Sequence, residues 1–202
     1  MDAFAKICGG TLALRDTYKI GATDFSSQVT KIMGSDADFV FSSIFCCDSI
    51  TFLKKLRGAG SELPFLSTDG QDTPAFVEAG GMSVEGTVFA TAAFPTEGSN
   101  LEKFMKEFTA ATGAAPTSNE YEAVGRDNIY AFAEAAKNAN YDLSPDALIE
   151  GFKQIKELEL ATGTATMISG KNTASKPVAV VAIKDGKPTL VSFDTPTYLP
   201  AG

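Results

Sequence analysis

The residues best suited to chemistry lie in one polar stretch, Ser67-Thr68-Asp69-Gly70-Gln71-Asp72-Thr73-Pro74, which leaves the C-terminal end of the apolar run Pro64-Phe65-Leu66. A carboxylate there could meet a cation, because ligands of parallel α/β sheets gather outside the carboxyl ends of the strands. Asp69 also has a plain reading, since Asp-Gly is a common turn pair. Asp69 and Asp72 together suggest a metal site only faintly, as they lack the spaced ligands of a calcium loop. Histidine is absent, which removes the usual general base of Ser and Cys hydrolases and the commonest zinc ligand. Of the three cysteines, Cys46 and Cys47 are sequence neighbours, and a bridge between adjacent residues is strained. Without a histidine to activate a thiol, they read as small apolar packing residues. Gly58-Ala59-Gly60 follows a helix instead of linking a strand to one, so it is no phosphate cradle.

The elements that must hold the turn are a strand, a helix and a second strand. Phe39-Val40-Phe41 is a continuous apolar run, as a strand covered on both faces requires. The helix after it carries Ile50, Leu53 and Leu56 on one stripe, with Gly58 as its left-handed stop. Pro64-Leu66 is the second strand, and Pro74 suits the first position of a new helix. Upstream, a helix is expected over residues 3 to 8, then a short strand at Thr11–Leu14. Thr23-Asp24 should cap a helix that buries Phe25, Val29, Ile32 and Met33.

Downstream, Gly86–Ala90 is another strand. Capping signals at Ser99–Glu102, Thr117–Glu120 and Ser144-Pro145 then open three helices in succession, the last burying Leu148, Ile149, Phe152 and Ile155. Three helices without a strand between them break the βα alternation and imply another layer or lobe. Thr164–Met167, Val178–Ile183 and Thr189–Phe193 are β-rich, with Asp185-Gly186 a hairpin turn. The chain from 196 on reads as a tail.

With 202 residues and 44% hydrophobic content, the composition is that of a globular protein with a sizeable core. A net charge of −8 argues against nucleic acid, which needs clustered Lys and Arg. No apolar run reaches the roughly 20 residues of a membrane span, and residues 1 to 20 have no signal-peptide pattern.

The order of parts resembles the solute-binding proteins of branched-chain amino-acid ABC transporters, which have the type I periplasmic-binding-protein fold. The resemblance rests on Gly21-Ala22-Thr23-Asp24-Phe25-Ser26, Asp38–Phe41, Ser67–Asp72, Gly80-Gly81 with Val84-Glu85-Gly86, Arg126-Asp127-Asn128, Ala161–Thr164 and Val181–Gly186, in order over residues 4 to 193. It implies an α/β chain comprising most of the second, flavodoxin-like lobe, with crossover helices and a C-terminal β-hairpin. Residues 1–95 would supply second-lobe βα units, 96–160 a helical crossover segment related to the first lobe, and 161–202 strands returning to the second. The first lobe, its serine and threonine contacts to the substrate carboxylate, and the leading strand of the second lobe have no counterpart here.

Carried over residue by residue, the family's acidic ligand to a substrate ammonium falls on Asp69. Phe45 stands where an aromatic often lines the cleft, Cys46 is its neighbour, and Gln71 stands where a second aromatic is frequent. The implied partners are an amino-acid-like solute, with no cofactor or metal, and the membrane permease of an ABC transporter. The implied location is periplasmic or extracellular, in the manner of a lipoprotein. Two alternatives stand beside this one. One is a truncated lobe that binds nothing and self-associates as a homodimer through the edge of the missing strand; the other is a flavodoxin-like enzyme.

Overall fold

The computed structural model describes residues 8–169, 171 and 173–197. In chain order it contains α1 (Ser26–Met33), β1 (Val40–Ser42), α2 (Cys46–Gly58), β2 (Phe65–Ser67), α3 (Pro74–Gly80), β3 (Val88–Thr91), α4 (Asn100–Thr112), α5 (Tyr121–Asn138), α6 (Pro145–Lys153), β4 (Thr166–Met167), β5 (Ala174–Ser175), β6 (Val178–Lys184) and β7 (Lys187–Asp194). Short 3₁₀ turns occupy Asp69–Gln71 and Gly81–Val84. The five-stranded sheet has the order β1-β2-β3-β6-β7, and β4 and β5 form a separate antiparallel pair. β1 to β3 are parallel. β6 and β7 are sheet neighbours joined by two residues, so they run antiparallel. Positive φ at both Asp185 (51°) and Gly186 (67°) gives the type I′ turn that matches strand twist.

The chain divides into two compact units. The first comprises the residues up to Gln71, Ala75–Phe89 and Ala182–Pro188. Its core is aromatic: Phe25 lies 5.6 Å from Phe52 edge-on, and Phe52 lies 5.9 Å from Phe65. Leu53, Leu56, Phe65 and Phe76 are fully buried, each worth about 1.5–3 kcal/mol of transfer free energy. The stripe expected on α2 is therefore inward. Arg57 closes the loop from α2 to β2 by donating to the carbonyls of Ser61 (3.0 Å) and Leu63 (2.8 Å), and burial lowers its pKa.

The second unit comprises Asp72–Pro74, Ala90–Val181 and the chain from Thr189. All three consecutive helices fall in it. Leu101 and Phe104 of α4 pack with Ala93, Ala123 and Ala161. Ser99 accepts from the Glu102 amide, and Gly113 closes α4 at φ 76°. α5 and α6 approach so closely that a Cβ on Gly151 would stand 2.1 Å from the Ala135 carbonyl oxygen, and Phe132 meets Phe152 edge-on at 4.9 Å.

Several expectations are corrected. Thr11–Leu14 forms no strand, because among the described residues none pairs with it to take its backbone groups. The left-handed residue after α2 is Gly60 (φ 85°), while Gly58 ends the helix itself. Met33 and Ile149 are exposed, so the apolar stripes of α1 and α6 are narrower than their spacing suggests. The expected helix over residues 3 to 8 and the end of the tail lie largely outside the described residues.

Candidate functional site

Two loops leave the same end of the first unit's parallel strands. β1 and β2 end in register at Ser42 and Ser67. After Ser42 the chain turns into α2 at Phe45-Cys46, and after Ser67 it turns through Asp69–Gln71. The two turns touch backbone to backbone: the face of Gly70 that a side chain would occupy lies 3.3 Å from the Ile44 carbonyl oxygen and 3.7 Å from the Phe45 Cα. Any side chain at position 70 would push them apart. The result is one mouth at the carboxyl ends of the strands, where Asp69 is exposed and the Phe45 ring is 61% exposed.

Gln71 braces this mouth from beneath. Its side chain is 1% exposed, and Nε2 donates to the Ile44 carbonyl (2.8 Å) and to Ser49 Oγ (3.2 Å). The Ser67 hydroxyl lies 2.6 Å from Gln71 Oε1 and 2.7 Å from the Ser42 carbonyl. Ser49 in turn donates to the Cys46 carbonyl (2.6 Å). A polar residue at position 71 therefore ties the end of β2 to the start of α2 from inside the fold. The cysteines are not fully buried packing residues as expected: Cys46 is half-buried, Cys47 is exposed, and neither is in a disulfide.

A third loop borders the mouth. Asp48, in the first turn of α2, accepts the Gly21 amide at 2.9 Å. The Tyr18 hydroxyl sits against the Phe45 backbone. Burial raises its pKa, the Phe45 backbone hydrogen bond opposes that shift, and the nearby Asp48 carboxylate adds to it. Nothing in the sequence links Gly21 to Asp48, because their hydrogen bond spans 27 residues with no periodic signal.

The second unit holds a separate polar cluster, and it is buried. The Thr91 hydroxyl lies 2.8 Å from Asp72 Oδ2 and 2.7 Å from Glu120 Oε2, and Asn119 donates to Asp72 Oδ1 at 2.8 Å. Asp127 accepts from the Ala161 amide (2.8 Å), the Thr162 amide (2.9 Å) and the Thr162 hydroxyl (2.7 Å). Lys176 donates to the carbonyls of Ala92 and Thr162, both at 2.7 Å. Burial lowers the pKa of Lys176, and the charges of Asp127 and Glu120 oppose that shift. Glu120 reads from the sequence as part of a cap, whereas it is Ser118 that accepts the Glu120 and Tyr121 amides. Among the described residues, no group of three or more Cys, Asp or Glu is gathered closely enough to hold a metal.

Parallel strands with helices, turns gathered at their carboxyl ends and a hairpin returning to the sheet define an α/β protein with a mostly parallel sheet. Residues 1–188 match the model of the periplasmic binding protein family, and the chain belongs to that family. Its relatives include the Leu/Ile/Val-binding protein homolog 3 of Brucella melitensis, 25% identical over 174 residues, 85% of this chain and 46% of that protein. Among solved structures, a leucine-binding protein of Thermotoga maritima superposes with TM-score 0.77 at 24% identity, over 89% of this chain and 51% of the other. An extracellular ligand-binding receptor of Rhodopseudomonas palustris gives TM-score 0.78 at 25% identity, over 94% and 57%. The chain thus spans about half the length of the relatives it matches. The family and the fold are those of solute-binding proteins.

Proposed function

We propose that this chain supplies the ammonium-binding side of an amino-acid site, with Asp69 as the carboxylate, Phe45 as the apolar wall, Cys46 beside it, and Gln71 as the brace. One observation carries the reading. The close approach of Gly70 to Ile44 and Phe45 places a carboxylate and an exposed aromatic ring at one strand-end mouth. A charge-assisted hydrogen bond from an α-ammonium to Asp69 would contribute about 1.5–3 kcal/mol, while Phe45 favours an apolar side chain over a charged one. Binding needs only closure around the solute and no bond-making chemistry. The names of the relatives support leucine, isoleucine or valine as the first solutes to try. An ABC permease in the periplasmic or extracellular setting of the family is the proposed recipient of the solute.

Isothermal titration with the twenty amino acids tests this. The expected result is saturable heat with an apolar amino acid, none with its α-keto analogue, and affinity at least tenfold weaker in Asp69→Asn. Equal affinity of that variant and the parent would remove Asp69 from the site.

A further inference from the structure

In the second unit one hydroxyl lies between two carboxyl groups. Thr91 Oγ1 is 2.8 Å from Asp72 Oδ2 and 2.7 Å from Glu120 Oε2, and all three residues are at most 3% exposed. Oxygens this close need a hydrogen between them, and a threonine hydroxyl carries only one. With both carboxyls ionised, one of the two contacts would set lone pair against lone pair away from water, where such a mismatch is most costly. The second hydrogen has to come from one of the carboxyl groups. The neighbours decide which. The Ala92 amide donates to the same Glu120 oxygen, Oε2, at 2.5 Å, so that oxygen acts as an acceptor. Lys176, with its Nζ 2.7 Å from the Ala92 carbonyl, brings a positive charge to the Glu120 side. Asp127, the other carboxylate that this lysine feels, accepts from the amides of Ala161 and Thr162 and from the Thr162 hydroxyl. Asn119 donates to Asp72 Oδ1 at 2.8 Å, and Oδ2 is the oxygen that faces Thr91.

We propose that Asp72 is held as a neutral carboxylic acid at pH 7, donating to Thr91, which donates in turn to an ionised Glu120, and that this one proton clasps the end of β3 to the start of α5. Two carboxyls that share a hydroxyl favour such a state, because ionising the second places like charges together. Loss of the proton at alkaline pH turns the contact between Asp72 and Thr91 from attractive to repulsive and loosens the clasp. The unfolded chain gives up the same proton near the ordinary aspartate value of about 3.9, so above that value the folded chain binds one proton more. Stability therefore falls as pH rises, by about tenfold in the folding constant per unit, until the folded pair itself releases the proton.

Carbon-13 NMR of the full chain labelled at the aspartate carboxyls, together with urea unfolding across a range of pH, tests this. Expected is one aspartate signal still at its protonated position at pH 7 and missing from Asp72→Asn. That variant replaces the acid O–H with an amide N–H and keeps the bonds to Thr91 and Asn119, so its folding constant relative to the parent should grow about tenfold per unit of rising pH. Glu120→Gln supplies the assignment should Asp72→Asn fail to fold: it releases the Thr91 hydrogen to Asp72, and the same signal should move to its ionised position at pH 7. An Asp72 carboxyl already ionised at pH 7 in the parent would overturn the proposal, as would equal pH slopes for the parent and Asp72→Asn. Alkaline stability of the parent that rises with sodium or potassium but not with tetramethylammonium at equal ionic strength would assign the place to a metal cation and also overturn it.

Discussion

The two units treat their carboxylates in opposite ways. In the second, Asp72, Glu120 and Asp127 are at most 5% exposed and are bonded to hydroxyls, amides and the Asn119 side chain. In the first, Asp69 is exposed at a strand end beside an exposed aromatic ring. Buried charge without partners is costly, so an Asp or Glu retained inside is there to hold backbone in place. Asp69 instead lies where solvent reaches its carboxylate. Exposure therefore separates these two sets of carboxylates more clearly than residue type does.

Asp127→Ala tests the scaffold side most severely. It orphans the Ala161 and Thr162 amides and removes a counter-charge from Lys176, and it should cost about 3–5 kcal/mol in urea-induced unfolding. A loss below about 1 kcal/mol would show that the cluster is not structural. Gly151→Ala should cost about 1–3 kcal/mol by forcing α5 and α6 apart, read as a lower urea midpoint with an unchanged slope.

A smaller effect comes from pH. Burial raises the Glu122 carboxyl pKa, but the hydroxyl and amide of Thr117 pull it further down, leaving it below the ordinary 4.5. The unfolded chain therefore binds the proton more tightly. The stabilisation is full above that ordinary value and fades as pH falls through the lower, folded one. Glu122→Gln should flatten the acid limb of stability against pH, and a limb of unchanged steepness would remove Glu122 as its cause. The smallest effect closes the comparison: Asp69→Asn should shift unfolding by no more than about 0.5 kcal/mol while weakening solute binding. A large loss of stability would place Asp69 with the scaffold carboxylates.

The sequence is informative wherever local rules decide. Apolar runs place β1, β2 and β3, the stripe of Ile50, Leu53 and Leu56 faces inward, Pro74 starts α3, and Asp185-Gly186 turns the hairpin. It says less where a distant partner decides. Asp127 draws its role from residues 34 and 35 positions away, and Gln71 from one 27 positions back. Thr11–Leu14 has strand chemistry but no pairing strand among the described residues, and pairing is a property of two segments. For Cys46 and Cys47, composition suggests burial, whereas their place at the first turn of α2 exposes Cys47 and leaves Cys46 half-buried.

The latch on the hairpin affects how the chain is made. Glu85 accepts the amides of Asp185 and Gly186 across 100 and 101 residues, and Gly86 and Thr87 exchange backbone bonds with Ile183. At roughly 5–20 residues per second of synthesis, the flank of β3 waits at least several seconds on the ribosome for the segment that covers it. Throughout that wait it is an open edge, which is a natural point for a chaperone to act and the step at which a nascent chain of this kind is most prone to aggregate.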